Sequence, residues 1–218
     1  MTDCAEFVVR PCAADCVCAR ANLVAIERTD AVAKWDGEPI ATIQMAPPPR
    51  SRRHAVHEAS HATAAHLFGM AIREVCIEWE AYCDTIKTGA SLRSNAVMMA
   101  AGPAGERWAM NRLTSTEYPA DLSDLLIAIK EARIGPCDRC KIAGCAWLSV
   151  GFDAEQDAAT AAYRDFEREA NELVKHPVFM RAVSEMADAL MEKGTLTGAE
   201  ATDIANKHMR FGAMKLND

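Results

Sequence analysis

Two histidines and a glutamate within five residues, His57, Glu58 and His61, form the motif H-E-x-x-H. On an α-helix the two histidines are about 400° apart, so both imidazoles leave the same face and could bind one zinc ion. The glutamate beside the first histidine could then reach a water molecule on that zinc. This is the arrangement of a zinc peptidase, in which the metal lowers the pKa of the water towards about 7 and the carboxylate accepts its proton.

The residues around the motif predict the helix that this geometry requires. Three consecutive prolines at positions 47–49 end the preceding segment, Ser51 suits an N-cap, and Gly69 suits the C-terminal end. Between them the segment is rich in alanine, which allows close packing against neighbouring helices. His54 and His66 lie outside the i, i+4 pair and are interpreted as surface or packing residues.

Composition favours a helical fold. The chain has 218 residues, of which 50% are hydrophobic and only 6% aromatic, which suits closely packed helices better than a β-sandwich. The formal net charge is −7, and lysine and arginine are scattered. Because no basic stripe is present, a nucleic-acid partner is not expected.

The remaining pattern predicts mostly helices. Residues 72–80 alternate between apolar and polar, which is typical of a half-buried strand, and a sheet edge near the metal could bind an extended peptide. Thr197 and Glu200 have the spacing of a capping box. We therefore expect a mainly α fold, with a small β element next to the H-E-x-x-H helix. The further predicted helices cover residues 91–113 and about 119–135, 153–175, 178–193 and 198–208. The first of them contains Gly102-Pro103, where the helix is expected to be weakened.

A catalytic zinc usually has three protein ligands and leaves its fourth position to water, so a third ligand should lie downstream. The extended signature H-E-x-x-H-x-x-G-x-x-H does not supply it. Ala64 stands where that signature has glycine, and Leu67 stands where it has histidine. The chain is therefore not expected to be a metzincin.

Beyond the motif, the chain resembles the zinc peptidase domain of FtsH-type proteases at four places in the same order. The family reads A-x-H-E-A-G-H-A at its metal helix, and this chain differs only at Ser60. Residues 101–106 are similar to a G-G-R-x-A-E-like stretch. Residues 124–133 fit the pattern D-I/L-x-x-A-x-x-x-A-R, and residues 190–200 are similar to L-L-E-x-x-T-L-x-G-x-E.

This resemblance implies an FtsH-type zinc peptidase domain over residues 50–213, preceded by a segment, residues 1–46, of unassigned role. It implies zinc bound by His57, His61 and Asp124, with Glu58 as the general base. Asp121 is the alternative third ligand, because both aspartates also suit helix N-caps or first-turn acids. Glu106 is interpreted as a helix-face acid rather than as the partner of a metal-bound histidine.

The resemblance also indicates which partners to expect, namely a protein or peptide substrate and an ATPase. The ATPase module and membrane anchor that precede this domain in the family are absent from the sequence, and no G-x-x-x-x-G-K-S/T loop occurs. We expect either a stand-alone peptidase for unfolded or flexible protein and peptide substrates, or a subunit that depends on a separate ATPase partner. An oligomer is compatible with the sequence, although the family's ring assembly is not carried over.

An acidic start and the lack of an apolar run of about 18 residues predict neither a secretion signal nor a membrane span, so a cytoplasmic protein is expected. In that reducing environment, the nine cysteines are interpreted as thiols or metal ligands. Cys137-x-x-Cys140, followed by Cys145, is a candidate half of a second metal site that one of the N-terminal cysteines could complete. Buried or surface thiols are the alternative.

Two other classes of function remain open. A zinc-dependent nucleoside or nucleobase deaminase uses the elements H/C-x-E and P-C-x-x-C, which residues 76–78 and 136–140 match. That chemistry requires the glutamate at a helix start, whereas Cys76 lies in a strand-like alternation. The other class is a non-catalytic zinc-binding relic that acts as an interaction module, since the presence of Glu58 does not prove catalysis.

Overall fold

The structure is a computed structural model that describes residues 50–78, 81–86, 89–110, 119–131 and 137–214. The N-terminal cysteines and the rest of the segment 1–46 lie outside these ranges.

Across the described residues the fold is mainly α-helical with one three-stranded antiparallel sheet, which confirms the predicted fold class. None of the helices that the structure describes is long and apolar enough to cross a lipid bilayer. The elements are α1 (Arg52–Leu67), β1 (Ala71–Cys76), β2 (Tyr82–Ile86), α2 (Leu92–Ala109), α3 (Pro119–Lys130), α4 (Asp138–Val150), α5 (Gln156–Lys175), α6 (Pro177–Lys193), β3 (Thr195–Thr197) and α7 (Gly198–Asn206).

Helix α1, which carries the H-E-x-x-H motif, is the central element. It packs against α2, α6 and the sheet, and every residue from Ala55 to His66 except His57 is buried. Small side chains allow the close approach of α2: a Cβ atom at Gly105 would lie 2.0 Å from the Ser60 Oγ atom. Ser60 stands where the FtsH-type pattern A-x-H-E-A-G-H-A has glycine. Its hydroxyl donates a hydrogen bond to the Val56 carbonyl at 2.7 Å. The glycine at position 105 thus makes room for the serine.

The sheet lies beside α1 in the order β2-β1-β3, with β1 antiparallel to both neighbours. Strand β1 corresponds to the predicted strand, whereas β2 and β3 were not predicted. The capping box of Thr197 and Glu200 is confirmed at the start of α7. There a Cβ atom at Gly198 would lie 1.9 Å from the Ile72 carbonyl oxygen, so a glycine allows α7 to start against β1.

Two helical segments differ from the prediction. Helix α2 continues through Pro103, because buried residues on both sides of this proline pack against neighbouring helices. Helix α4 was not predicted, because its Cys-x-x-Cys sequence was considered only as half of a candidate metal site or as thiols. It is anchored by Trp147, which is fully buried and donates its indole N–H to the Leu126 carbonyl of α3 at 2.8 Å. Packing of α4 on α2 and α5 places its first residue, Asp138, at the motif helix.

Candidate metal centre

Three side-chain atoms converge beside α1: the Nε2 atoms of His57 and His61 and the Oδ2 atom of Asp138. The Asp138 oxygen lies 3.0 Å from the His57 nitrogen and 3.1 Å from the His61 nitrogen, and the two nitrogens are 3.1 Å apart. Ligand atoms on a tetrahedral metal with bonds of about 2.0–2.1 Å are about 3.3–3.4 Å apart. The triangle is close to this size, so the group could hold a metal ion.

Hydrogen bonds orient both imidazoles. The His61 Nδ1 atom lies 2.8 Å from the Met98 carbonyl oxygen, and the His57 Nδ1 atom lies 3.2 Å from Glu106 Oε2. When each Nδ1–H donates to its acceptor, the Nε2 lone pair faces the triangle, as a metal ligand requires. Glu106 also accepts a hydrogen bond from Arg53 Nε at 2.6 Å. It is therefore the hydrogen-bond partner of a candidate metal ligand, His57, and not simply an acid on the helix face as the sequence suggested.

A glycine of α2 keeps space beside the ligand nitrogens. A Cβ atom at Gly102 would lie 2.3 Å from the His61 Nε2 atom and 2.8 Å from the His57 Nε2 atom. Real Cβ atoms essentially never approach other heavy atoms so closely. A side chain at this position would therefore obstruct the triangle, and the vacant space fits a small ion bound there.

The third member of the group is Asp138, and the structure does not bring Asp124 to the histidines. Asp124 lies on the exposed face of α3, whose buried face packs against α4 and α5, and the side chain of Asp121 lies outside the described part of the chain. Asp138 had one local signal that sequence reasoning missed. It is an acidic residue two positions after Pro136, where a new helix can begin.

The charges of the group depend on one another. Burial lowers the pKa of His57, but hydrogen bonds to Asp138 and Glu106 and the nearby charge of Glu58 outweigh burial and raise this pKa to about 9. Burial favours the neutral form of Asp138, but the facing His61 and His57 hold its pKa well below the usual range. Without metal, His57 therefore carries a proton at neutral pH, and a metal ion must displace it.

Glu58 lies next to this group in a buried position, with 7% of its surface exposed. Burial raises the pKa of Glu58, and the positive charges of His61 and His57 oppose that rise. A carboxylate with a raised pKa is a stronger base than an ordinary exposed one. Glu58 therefore has the surroundings of a proton acceptor.

The group opens into a cleft of about 440 Å³. Its walls come from α1, α2, the first turn of α4 and the start of β2, where Tyr82 is 42% exposed. Among the strands that the structure describes, β2 pairs only with β1, so its other backbone edge forms no ladder with a described strand. Lys141, on the wall formed by α4, places its Nζ atom 4.0 Å from Asp138 Oδ1.

The cysteines do not form a second three-ligand group within the described ranges. Cys137 and Cys140 place their sulfur atoms 3.3 Å apart, but Cys145 does not join them in such a group. Cys76, the residue that a deaminase would need, lies at the end of β1 with its sulfur 3.2 Å from the Thr195 hydroxyl. The structure therefore does not bring the deaminase ligands together.

The other two histidines of this region lie outside the group. His54 is exposed on the wall of the cleft. His66 is fully buried, with its ring 5.3 Å from the ring of Phe211, so it is a packing residue.

No known protein family matches this chain, and no curated protein matches it either. The sequence and structure define a mainly helical protein with a partly buried His57–His61–Asp138 group that could hold a metal ion beside Glu58.

Proposed function

We propose that the protein is a zinc metallo-endopeptidase with an FtsH-type active site, which hydrolyses peptide bonds of unfolded or flexible chains. The observation that carries this proposal is the position of Glu58, which is buried beside the His57–His61–Asp138 group and faces an open cleft.

The donor set suits the proposed metal. Two imidazole nitrogens and one carboxylate oxygen are a common ligand set of catalytic zinc, which keeps a further position for water or substrate. Zinc bound there would polarise the substrate carbonyl and lower the pKa of a water molecule. In this proposal Asp138 takes the role that the resemblance assigns to Asp124.

Glu58 is the proton carrier of the proposed reaction. It accepts a proton from the attacking water as the water oxygen forms a bond to the peptide carbonyl carbon. It then delivers this proton to the peptide nitrogen as the carbon–nitrogen bond breaks. Its raised pKa helps it to accept the first proton, and its position beside both histidines keeps it next to the reacting atoms.

Lys141 supplies positive charge from the wall of the cleft that α4 forms. The carbonyl oxygen gains negative charge when the water adds, and a nearby ammonium group stabilises that charge. The Lys141 side chain is exposed and long enough to move towards a bound substrate. Replacing it by methionine should reduce kcat by roughly tenfold with little effect on metal content. A Lys141→Arg variant is the control, because it keeps the charge.

The edge of β2 is the proposed substrate-binding element. An extended peptide in the cleft can add to this edge as a further strand, because backbone groups there are not paired by another described strand. A folded protein cannot offer such a segment, since its backbone groups are already paired. This argument favours unfolded or flexible substrates.

The decisive experiment is cleavage of an unfolded, fluorescently labelled protein by the zinc-loaded full chain without ATP. Glu58→Gln is the matched control, because it keeps the shape of the side chain and should keep the zinc. We expect cleavage by the wild type and a loss of at least about a thousandfold in the variant. Equal cleavage by both proteins would refute the assignment.

If the wild type and Glu58→Gln both bind zinc but neither cleaves the substrate, two alternatives to an autonomous peptidase remain. A separate ATPase partner would then be required to deliver substrates, or the domain would be a non-catalytic zinc-binding module. Chelation should in either case lower the thermal stability of the protein, because metal binding stabilises the folded state.

A further inference from the structure

The candidate ligand Asp138 lies between the two cysteines of a Cys-x-x-Cys sequence. Cys137 is the N-cap of α4, Asp138 is the first residue of that helix, and Cys140 follows in the same turn. The two sulfur atoms are 3.3 Å apart, and both residues are thiols. We propose that these thiols form a reversible disulfide that withdraws Asp138 from the metal centre, so that oxidation releases the metal.

The two cysteines differ in access. Cys137 is half-buried and lines the cleft that contains the metal centre, so a small oxidant can reach it. Cys140 is 2% exposed and faces the interior. This arrangement makes Cys137 the residue that is oxidised first, and Cys140 the residue that closes the disulfide.

A peroxide supplies the required oxidation. The Cys137 sulfur attacks one peroxide oxygen, a sulfur–oxygen bond forms, the oxygen–oxygen bond breaks, and with hydrogen peroxide the first water leaves. The Cys140 sulfur then attacks the Cys137 sulfur, the disulfide forms, the sulfur–oxygen bond breaks, and a second water leaves. Two thiols lose two electrons and two protons in total, and the peroxide is reduced to water.

Closing this disulfide must change the turn that carries Asp138. The two sulfur atoms lie 3.3 Å apart, whereas a disulfide holds them about 2.0 Å apart. Cys137, the N-cap, and Cys140 must therefore approach each other by about 1.3 Å, which draws together the two ends of the turn that carries Asp138. The Asp138 oxygen lies only 3.0–3.1 Å from its histidine neighbours, and a displacement of this size removes it from the ligand triangle.

The inference depends on the metal centre and not on peptide hydrolysis, so its test measures metal directly. The zinc-loaded full chain is treated with hydrogen peroxide, and released zinc is followed with an indicator dye. Trypsin cleaves after Arg133, Arg139 and Lys141, so residues 134–139 and 140–141 stay joined after digestion only if the disulfide has formed. Mass spectrometry detects that linked pair, and a reductant should separate it and restore zinc binding.

Serine variants separate this disulfide from general oxidation. We expect the wild type to lose zinc affinity by about tenfold or more on oxidation, while Cys137→Ser and Cys140→Ser keep their zinc. Cys145→Ser on the same helix and Cys83→Ser on the cleft wall are the controls, and both should respond like the wild type.

Three results would overturn the inference. The linked peptide pair could form while zinc stays bound, or zinc could leave equally from the Cys137→Ser and Cys140→Ser variants. Loss of zinc by reduced Cys137→Ser would instead identify Cys137 as a metal ligand.

Discussion

The two histidines and the aspartate of the metal centre are held in different ways. His57 and His61 lie in the middle of α1, where each imidazole has a hydrogen-bond acceptor at its second nitrogen. Asp138 lies at the first residue of α4 and is flanked by two thiols. A helix end has fewer internal hydrogen bonds than a helix interior and adjusts more easily. The centre thus combines a rigid histidine side with an adjustable aspartate side.

Removing the aspartate should have the largest effect on metal binding. Asp138→Asn takes away the charge and should weaken zinc binding by at least about a hundredfold, while Asp124→Asn should leave it unchanged. Zinc titration of both variants against a competing chelator measures the difference. If Asp124→Asn weakened binding as strongly, the ligand set implied by the family resemblance would stand instead.

Filling the space beside the histidines should have the next largest effect. Gly102→Ala places a Cβ atom against both Nε2 nitrogens and should weaken zinc binding by roughly tenfold or more. Gly144→Ala is the matched control, because a Cβ atom there meets nothing within 4 Å. The control should keep its zinc and gain about 0.5–1 kcal/mol of stability from the better helix propensity of alanine. Equal zinc affinity in both variants would show that the space at Gly102 is not needed.

Glu106 tests how strongly the histidine side depends on its supporting hydrogen bonds. Glu106→Gln keeps an acceptor but removes the charge that faces His57 and Arg53, so zinc affinity should fall by about 10–100-fold. Glu169→Gln is a suitable control, since Glu169 also pairs with an arginine, Arg93, on another part of the surface. Metal content after dialysis should separate the two variants, and an unchanged Glu106→Gln would indicate that the His57 ring is held by packing alone.

The metal-free protein should show a pH dependence that originates at His57. Hydrogen bonds raise the pKa of this residue from 6.5 to about 9 in the folded state, against the effect of burial. The resulting stabilisation is fully present below pH 6.5 and is lost as the pH rises through about 9. Thermal melting of chelator-treated protein from pH 6.5 to 9.5 should therefore show falling stability.

Two comparisons belong to this pH series: the zinc-loaded wild type and the metal-free His57→Ala variant. The melting temperature of both should depend less on pH, because neither protein carries the His57 proton. Parallel curves for all three proteins would assign the dependence to groups other than His57.

Much of the helical framework was predictable from local patterns. Helix α1, the helices after residue 152 and the capping box of α7 all agree with signals that lie within a few residues of one another. Helix α4 was missed, because its cysteines were considered only as candidate metal ligands or as thiols. Strands β2 and β3 were missed, because runs of five and three residues carry little periodicity of their own.

The same contrast holds for the metal centre. The shared face of His57 and His61 follows from the period of one helix, so five letters of sequence were enough to predict the converging imidazoles. The identity of the third ligand depends on how α4 packs against α2 and α5. Asp138 is 81 residues from His57 along the chain, and Asp121 and Asp124 also have sequences that suit a helix start. Local spacing does not distinguish among those aspartates. Packing does, because it places the partly exposed Asp138 against the histidines and leaves Asp124 on the surface.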